Sequence, residues 1–205
     1  MDGPSLSEEV YRRLRQEIVH GDLRPRESLS EVEIAERLQV SRTPVRESLQ
    51  RLASEGLITS HRRRWIVYEH SKAEISEIYE VRAALESYSA RLAALRATDD
   101  ELVAIAALRG GQTRDQRIDY NEHLHDSIIR LSHNETLLRQ TRTSRLYFFN
   151  RTVASLYTEA DLVKSTEQHD TLIDAVCDRD PDRAEAAARD HVEFALELIL
   201  HRLPG

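Results

Sequence analysis

A chain of 205 residues, 40% apolar and 32% charged, can bury cores and keep a water-facing surface, as one large domain or two modest ones. Only 6 glycines and 5 prolines favour long helices over many short strands, and the lack of any run of about 18 apolar residues excludes a membrane-spanning helix. A net charge of −7 speaks against nucleic-acid binding until its distribution is read: residues 1–70 are balanced, residues 71–205 carry the whole acidic excess, and the stretch 41–64 holds six Arg against two Glu. Such a patch can still bind phosphate, because screening confines the relevant field to about 8–10 Å. The first residues lack the basic-then-apolar pattern of a signal peptide. The single cysteine, Cys177, cannot form an internal disulfide. Both features lead us to expect a cytoplasmic protein.

The predicted elements follow their start signals. Ser5 and Glu8 open a first helix with Val10, Leu14 and Ile18 on one face and Gly21 beyond its end. Ser30 and Glu33 open a second, short helix with Ile34, Ala35 and Leu38 inward. A third helix starts after Ser41, with Pro44 in its first turn. Val45, Leu49 and Leu52 form its buried stripe, while Arg42, Thr43, Arg46 and Gln50 face the other way. Beyond Glu55-Gly56, the runs 57–59 and 65–68 read as two strands around the basic tip His61-Arg62-Arg63-Arg64. Ser71–Glu74 and Thr98–Glu101 open further helices, and Asp180-Pro181 opens the last. Helices are predicted near 72–96, 99–109, 115–132, 134–156, 160–178 and 181–202. The fold class is therefore mainly α: an N-terminal winged helix-turn-helix over residues 1–70 and an all-α antiparallel helical bundle over residues 71–205.

A short helix, a tight turn and a second helix with arginines at its start is the helix-turn-helix arrangement. Arg42 and Arg46 are four residues apart and share a face, and Arg can donate two bonds to guanine O6 and N7. Ser41 and Thr43 suit phosphate, and Arg62, Arg63 and Arg64 suit a neighbouring groove or backbone. The sequence Leu38-Gln39-Val40-Ser41-Arg42-Thr43-Pro44-Val45-Arg46-Glu47, with Leu29-Ser30-Glu31 before it, closely resembles the GntR family of regulators over residues 7–68. That resemblance implies dimeric operator binding, base contacts from Arg42 and Arg46, and phosphate contacts from Ser41 and Thr43. The chain departs from the family at Val32, where an Arg is common, and at the wing tip, which has no Gly.

The C-terminal part contains Asp119 and His123, four apart on one predicted helix, and His169 and His191 on the apolar faces of two later ones. One carboxylate and three imidazoles would suit Zn²⁺ foremost, or Ni²⁺ or another divalent ion. A lone histidine on an apolar face is more often a hydrogen-bonded core residue than a ligand, so spacing leaves both readings open. Asp119-Tyr120-Asn121-Glu122-His123, Ser132-His133-Asn134, Gln168-His169-Asp170 and Ala188-Arg189-Asp190-His191, with Arg82-x-x-Leu85-Glu86, are similar to the FCD effector domain of the FadR subfamily. The resemblance implies a metal held by Asp119, His123, His169 and His191, with a small carboxylate effector at its open positions. Arg82 is a candidate second anchor for that acid, or a partner of Glu86 or another acid in an interhelical ion pair. Glu122 stands where the family usually has an aromatic, and His133 where it usually has Gly. An enzyme is the rival class, but no His-Glu-x-x-His, Gly-rich phosphate loop or Gly-x-Ser-x-Gly is present. The C-terminal part could also hold its effector in a metal-free pocket, or serve dimerisation alone. The expected function is a repressor-type transcription regulator, a homodimer on double-stranded operator DNA, with no membrane association.

Overall fold

The structure, a computed structural model, describes residues 5–61, 64–110, 116–145 and 155–203. Its packing divides the chain into two compact units, with the break between Ser71 and Lys72.

The first unit holds α1 (Leu6–Val19), α2 (Glu31–Leu38), α3 (Arg42–Ser54) and the strands β1 (Ser28–Leu29), β2 (Ile58–His61) and β3 (Arg64–Val67). The side chains of Ser5 and Ser30 accept the amides of Glu8 and Glu33, fixing the starts of α1 and α2. Gln39 adopts the left-handed conformation, at φ 55°, and makes the tight turn into α3. Ser41 has the backbone of an N-cap, but its side chain makes no capping bond, so its hydroxyl is not committed to the helix. Val45, Leu49 and Leu52 are completely buried, and each such side chain contributes about 1.5–3 kcal/mol by leaving water. Gly56, at φ 76°, lets the chain leave α3 and enter the sheet. The three strands are antiparallel in the order β1-β3-β2, with Leu29 opposite Trp65 and Ile58 opposite Val67. The strand β1 was not anticipated, because two residues are too few to show a period.

The second unit is a bundle of α4 (Lys72–Arg96), α5 (Asp99–Ala106), α6 (Arg117–Leu131), α7 (Glu135–Arg145), α8 (Glu159–Cys177) and α9 (Pro181–Arg202). The mainly-α class holds: among the described residues there are nine helices and one three-stranded sheet. Thr98 and Glu101 form a reciprocal capping box at α5, Thr158 and Asp161 form another at α8, and Asp180 caps α9 with Pro181 at its first position. The expected helix over 134–156 falls partly outside the described residues. His133 has φ 46°, the conformation that favours the glycine usual in the family at this position.

Two apolar clusters fill the bundle. In one, Ala90, Ala93 and Ala94 of α4 pack with Leu124 and Ile128 of α6, Leu172, Ile173 and Val176 of α8, and Ala184 and Ala188 of α9. In the other, Ile75 and Tyr79 of α4 pack with Tyr157, Leu162, Val192, Ala195 and Ile199. His169 lies in sequence between Leu162 and Leu172, and His191 between Ala188 and Val192, so both imidazoles sit where one cluster gives way to the other. No helix among the described residues is long and apolar enough to cross a membrane.

Candidate functional site

In the first unit, Ser41, Arg42, Thr43, Arg46 and Gln50 are exposed along one side of α3, opposite the buried stripe. The two guanidinium groups share one partner. Glu31, the first residue of α2, accepts bonds from Nε and Nη2 of Arg46 (Nη2 at 2.9 Å) and from Nη2 of Arg42 at 3.3 Å. The Trp65 indole on β3 lies 3.5 Å from the same carboxylate. The hydrogen bonds from Arg46 and Arg42 hold the Glu31 carboxyl below the usual carboxylate range. Arg64 is exposed at the start of β3; Arg62 and Arg63 lie outside the described residues.

In the second unit, three histidines converge: His125 of α6, His169 of α8 and His191 of α9, with 4%, 1% and 5% exposure. One ring nitrogen of each lies within 4.8 Å of the others. Asp119 and His123 do not join them; both are exposed. The ligand set expected from the sequence is thus corrected at these two positions. Two residues along an α-helix turn it by about 200°, which carries His123 to the far side and brings His125 and the buried Asn121 inward. A signal was present in the sequence: charged Glu122 precedes His123, whereas apolar Leu124 precedes His125, and the family usually carries an aromatic there.

The outer nitrogens of two of these rings are held. Glu86 Oε2 is 2.8 Å from Nδ1 of His125, and Gln168 Oε1 is 3.3 Å from Nδ1 of His191. An acceptor on Nδ1 places the proton there and leaves Nε2 with its lone pair, the arrangement that supports a metal-bound imidazole. The Nε2 atoms of His169 and His191 are 3.1 Å apart. Two nitrogens at about 2.0–2.1 Å from one ion, about 90–110° apart, are separated by roughly 2.8–3.4 Å. The donor set therefore fits a borderline divalent metal.

Arg82 is buried on α4 with its Nε 2.9 Å from Glu86 Oε1, and its guanidinium carbon lies 4.4 Å from the centre of the Tyr79 ring. The ion pair considered from the sequence is present, but it runs within one helix at i, i+4 spacing rather than between helices. Glu86 thus binds Arg82 with one oxygen and His125 with the other.

A winged helix-turn-helix with an exposed arginine pair, followed by an all-helical unit, defines a DNA-binding transcription regulator. Residues 6–67 match the model of bacterial regulatory proteins of the gntR family, and residues 77–194 match the FCD domain. The chain belongs to the gntR family and carries an FCD domain; it is a transcription regulator and not an enzyme. It is 34% identical over 194 residues to the Nta operon transcriptional regulator of Aminobacter aminovorans, covering 89% of both chains. It is 30% identical over 208 residues to the transcriptional repressor RspR of Escherichia coli K12, covering 95% of this chain and 89% of that one. Among solved structures, E. coli McbR/YncC shares the fold at a TM-score of 0.86 and 23% identity, covering 98% of this chain and 99% of that one.

Proposed function

We propose that the protein is a cytoplasmic, operator-binding repressor whose DNA affinity is set by a small organic acid bound at a divalent metal ion in the FCD domain. Arg42 and Arg46 read base edges, and Ser41, Thr43 and the wing arginines Arg62, Arg63 and Arg64 contact phosphate. His125, His169 and His191 hold the metal, Zn²⁺ or Ni²⁺ by the softness of three imidazoles. The relative RspR, named a repressor, supports repression here.

The observation that carries the effector class is the charge balance around the three histidines. Glu86 is compensated by Arg82, and coordinating imidazoles are neutral. A divalent ion there retains its positive charge, which favours an anionic ligand in its open positions. The chemistry the ion supplies is Lewis acidity toward a carboxylate oxygen. Arg82 contributes by fixing Glu86, and through it the His125 ring.

A homodimer is favoured by the exposed face of α4. Val81, Ala84, Tyr88 and Leu95 are exposed at spacings of three, four and seven residues, an apolar stripe suited to a second copy of the same helix.

The test uses full-length protein and a duplex selected by it from a randomised library. Fluorescence anisotropy is read while mono-, di- and tricarboxylates are added, before and after metal chelation. At least one acid should shift operator affinity about 5- to 150-fold in the metal-loaded protein and not in the chelated one. A shift that survives chelation would assign the pocket to direct, metal-free binding.

A further inference from the structure

Glu31 is the one acidic side chain bonded to both Arg42 and Arg46 of the recognition helix among the described residues. It sits at the first position of α2, where the helix dipole and the neighbouring amides favour a carboxylate. Its side chain is 17% exposed, against 59% for Arg42 and 55% for Arg46. A partly buried anchor thus holds two solvent-facing cations, and the Trp65 indole on β3 adds a wing-side contact to the same carboxylate.

The way Arg46 is held is informative. A guanidinium has five N–H donors in a planar fork. Glu31 takes the edge formed by Nε and Nη2. The end of the fork, with Nη1 and the remaining Nη2 hydrogen, is not used in that contact. Two parallel donors at that end are what recognition of guanine O6 and N7 requires. The carboxylate therefore does not block base reading; it fixes the plane in which the fork can approach. It also puts a negative charge beside the DNA-facing surface, which opposes binding through phosphate attraction alone.

We infer that Glu31 is a specificity-determining positioning residue: it buttresses Arg42 and Arg46 for base contact and lowers affinity for DNA that offers them no correct base. This rests on the proposal that Arg46 reads a base. Ordering the guanidinium before binding reduces the entropy lost on the operator, while the anionic charge acts on every sequence alike. The first effect separates operator from random DNA, and the second lowers the affinity for both.

The experiment is a double-mutant cycle on the full-length protein: wild type, Glu31→Gln, Arg46→Ala and the double variant. Each is measured on a duplex selected by wild type from a randomised library and on a random duplex at one salt concentration. Glu31→Gln should lower the operator-to-random affinity ratio by about tenfold, with random-DNA affinity equal to wild type or higher. In the double variant, the ratio should fall by less than the two single losses combined, because part of the action of Glu31 runs through Arg46 and the rest through Arg42. A wild-type ratio in Glu31→Gln, or losses that simply add, would overturn the inference while leaving the base-reading role of Arg46 in place. An unchanged ratio in Arg46→Ala would instead remove that role, and the inference with it. Glu31→Asp keeps the charge but shortens the reach, and it carries the same cycle if the Gln variant melts below the assay temperature. It should keep the low random-DNA affinity of wild type and still lose operator preference, an outcome a purely structural role for Glu31 would not produce.

Discussion

The Nε2 atoms of His169 and His191 face each other at 3.1 Å although the residues lie on different helices, α8 and α9. Neutral imidazoles at this distance share one proton; with a cation between them, both present lone pairs. Gln168 Oε1 accepts from the outer nitrogen of His191, so the inner nitrogen of that ring is the acceptor. His125 completes the group from a third helix, with Glu86 on its outer nitrogen. An ion held here would tie α6, α8 and α9 together, so its removal should lower the melting temperature.

Glu86 serves two buried partners, and its replacement should have two separable effects. Glu86→Gln leaves Arg82 buried without a countercharge, a loss of about 3–5 kcal/mol of stability. It also weakens the hold on the His125 ring, lowering metal affinity about 10- to 100-fold. Combining Arg82→Met with Glu86→Gln should recover most of the stability but none of the metal affinity. Chemical denaturation and chelator competition read the two quantities. Recovery of both in the double variant would show that Glu86 matters only as the partner of Arg82.

Arg46→Ala should weaken operator binding by about 1–3 kcal/mol with little change on random DNA. The side chain is more than half exposed, so the fold should survive, as circular dichroism would show. Equal loss on both duplexes would mean that Arg46 contacts phosphate alone.

The sequence carried the recognition helix almost entirely, because its signals are local: a serine N-cap position, a proline in the first turn, a regular apolar stripe and a glycine past the end. The wing was legible for the same reason. The three-histidine group was only half legible. His169 and His191 lie in strongly apolar surroundings on their helices, and their burial follows from it. His125 was harder, since residues 119–125 offer two sets at the same i, i+4 spacing, Asp119 with His123 and Asn121 with His125. Only the rotation of α6 decides between them. His125 stands about 60° from Ile128 and 40° from Ile129, whereas His123 stands about 140° from Ile128. Buried Ile128 and Ile129 thus fix the inward face. The bond between Glu31 and the arginines of α3 joins separate elements, and no local pattern announces it.

Asp161 provides a pH test of the bundle. Hydrogen bonds from Arg202 and from Thr158 lower its pKa from 3.8 to about 2. A depressed carboxylate contributes stability above its unfolded pKa and loses it as pH falls through the folded value. The melting temperature of wild type should therefore exceed that of Asp161→Asn at neutral pH, and the difference should shrink between about pH 4 and pH 2. A difference that is constant across this range would show that the cap and the Arg202 contact contribute without the charge.

The most direct measurement of the metal assignment is elemental analysis of the purified wild type beside His125→Ala, His169→Ala, His191→Ala and His123→Ala. Wild type and His123→Ala should hold a divalent metal in stoichiometric amount, because His123 is exposed. The other three variants should lose it, since each removes one of three imidazole ligands. Metal retained in His125→Ala and lost in His123→Ala would contradict the site built on the inward face of α6.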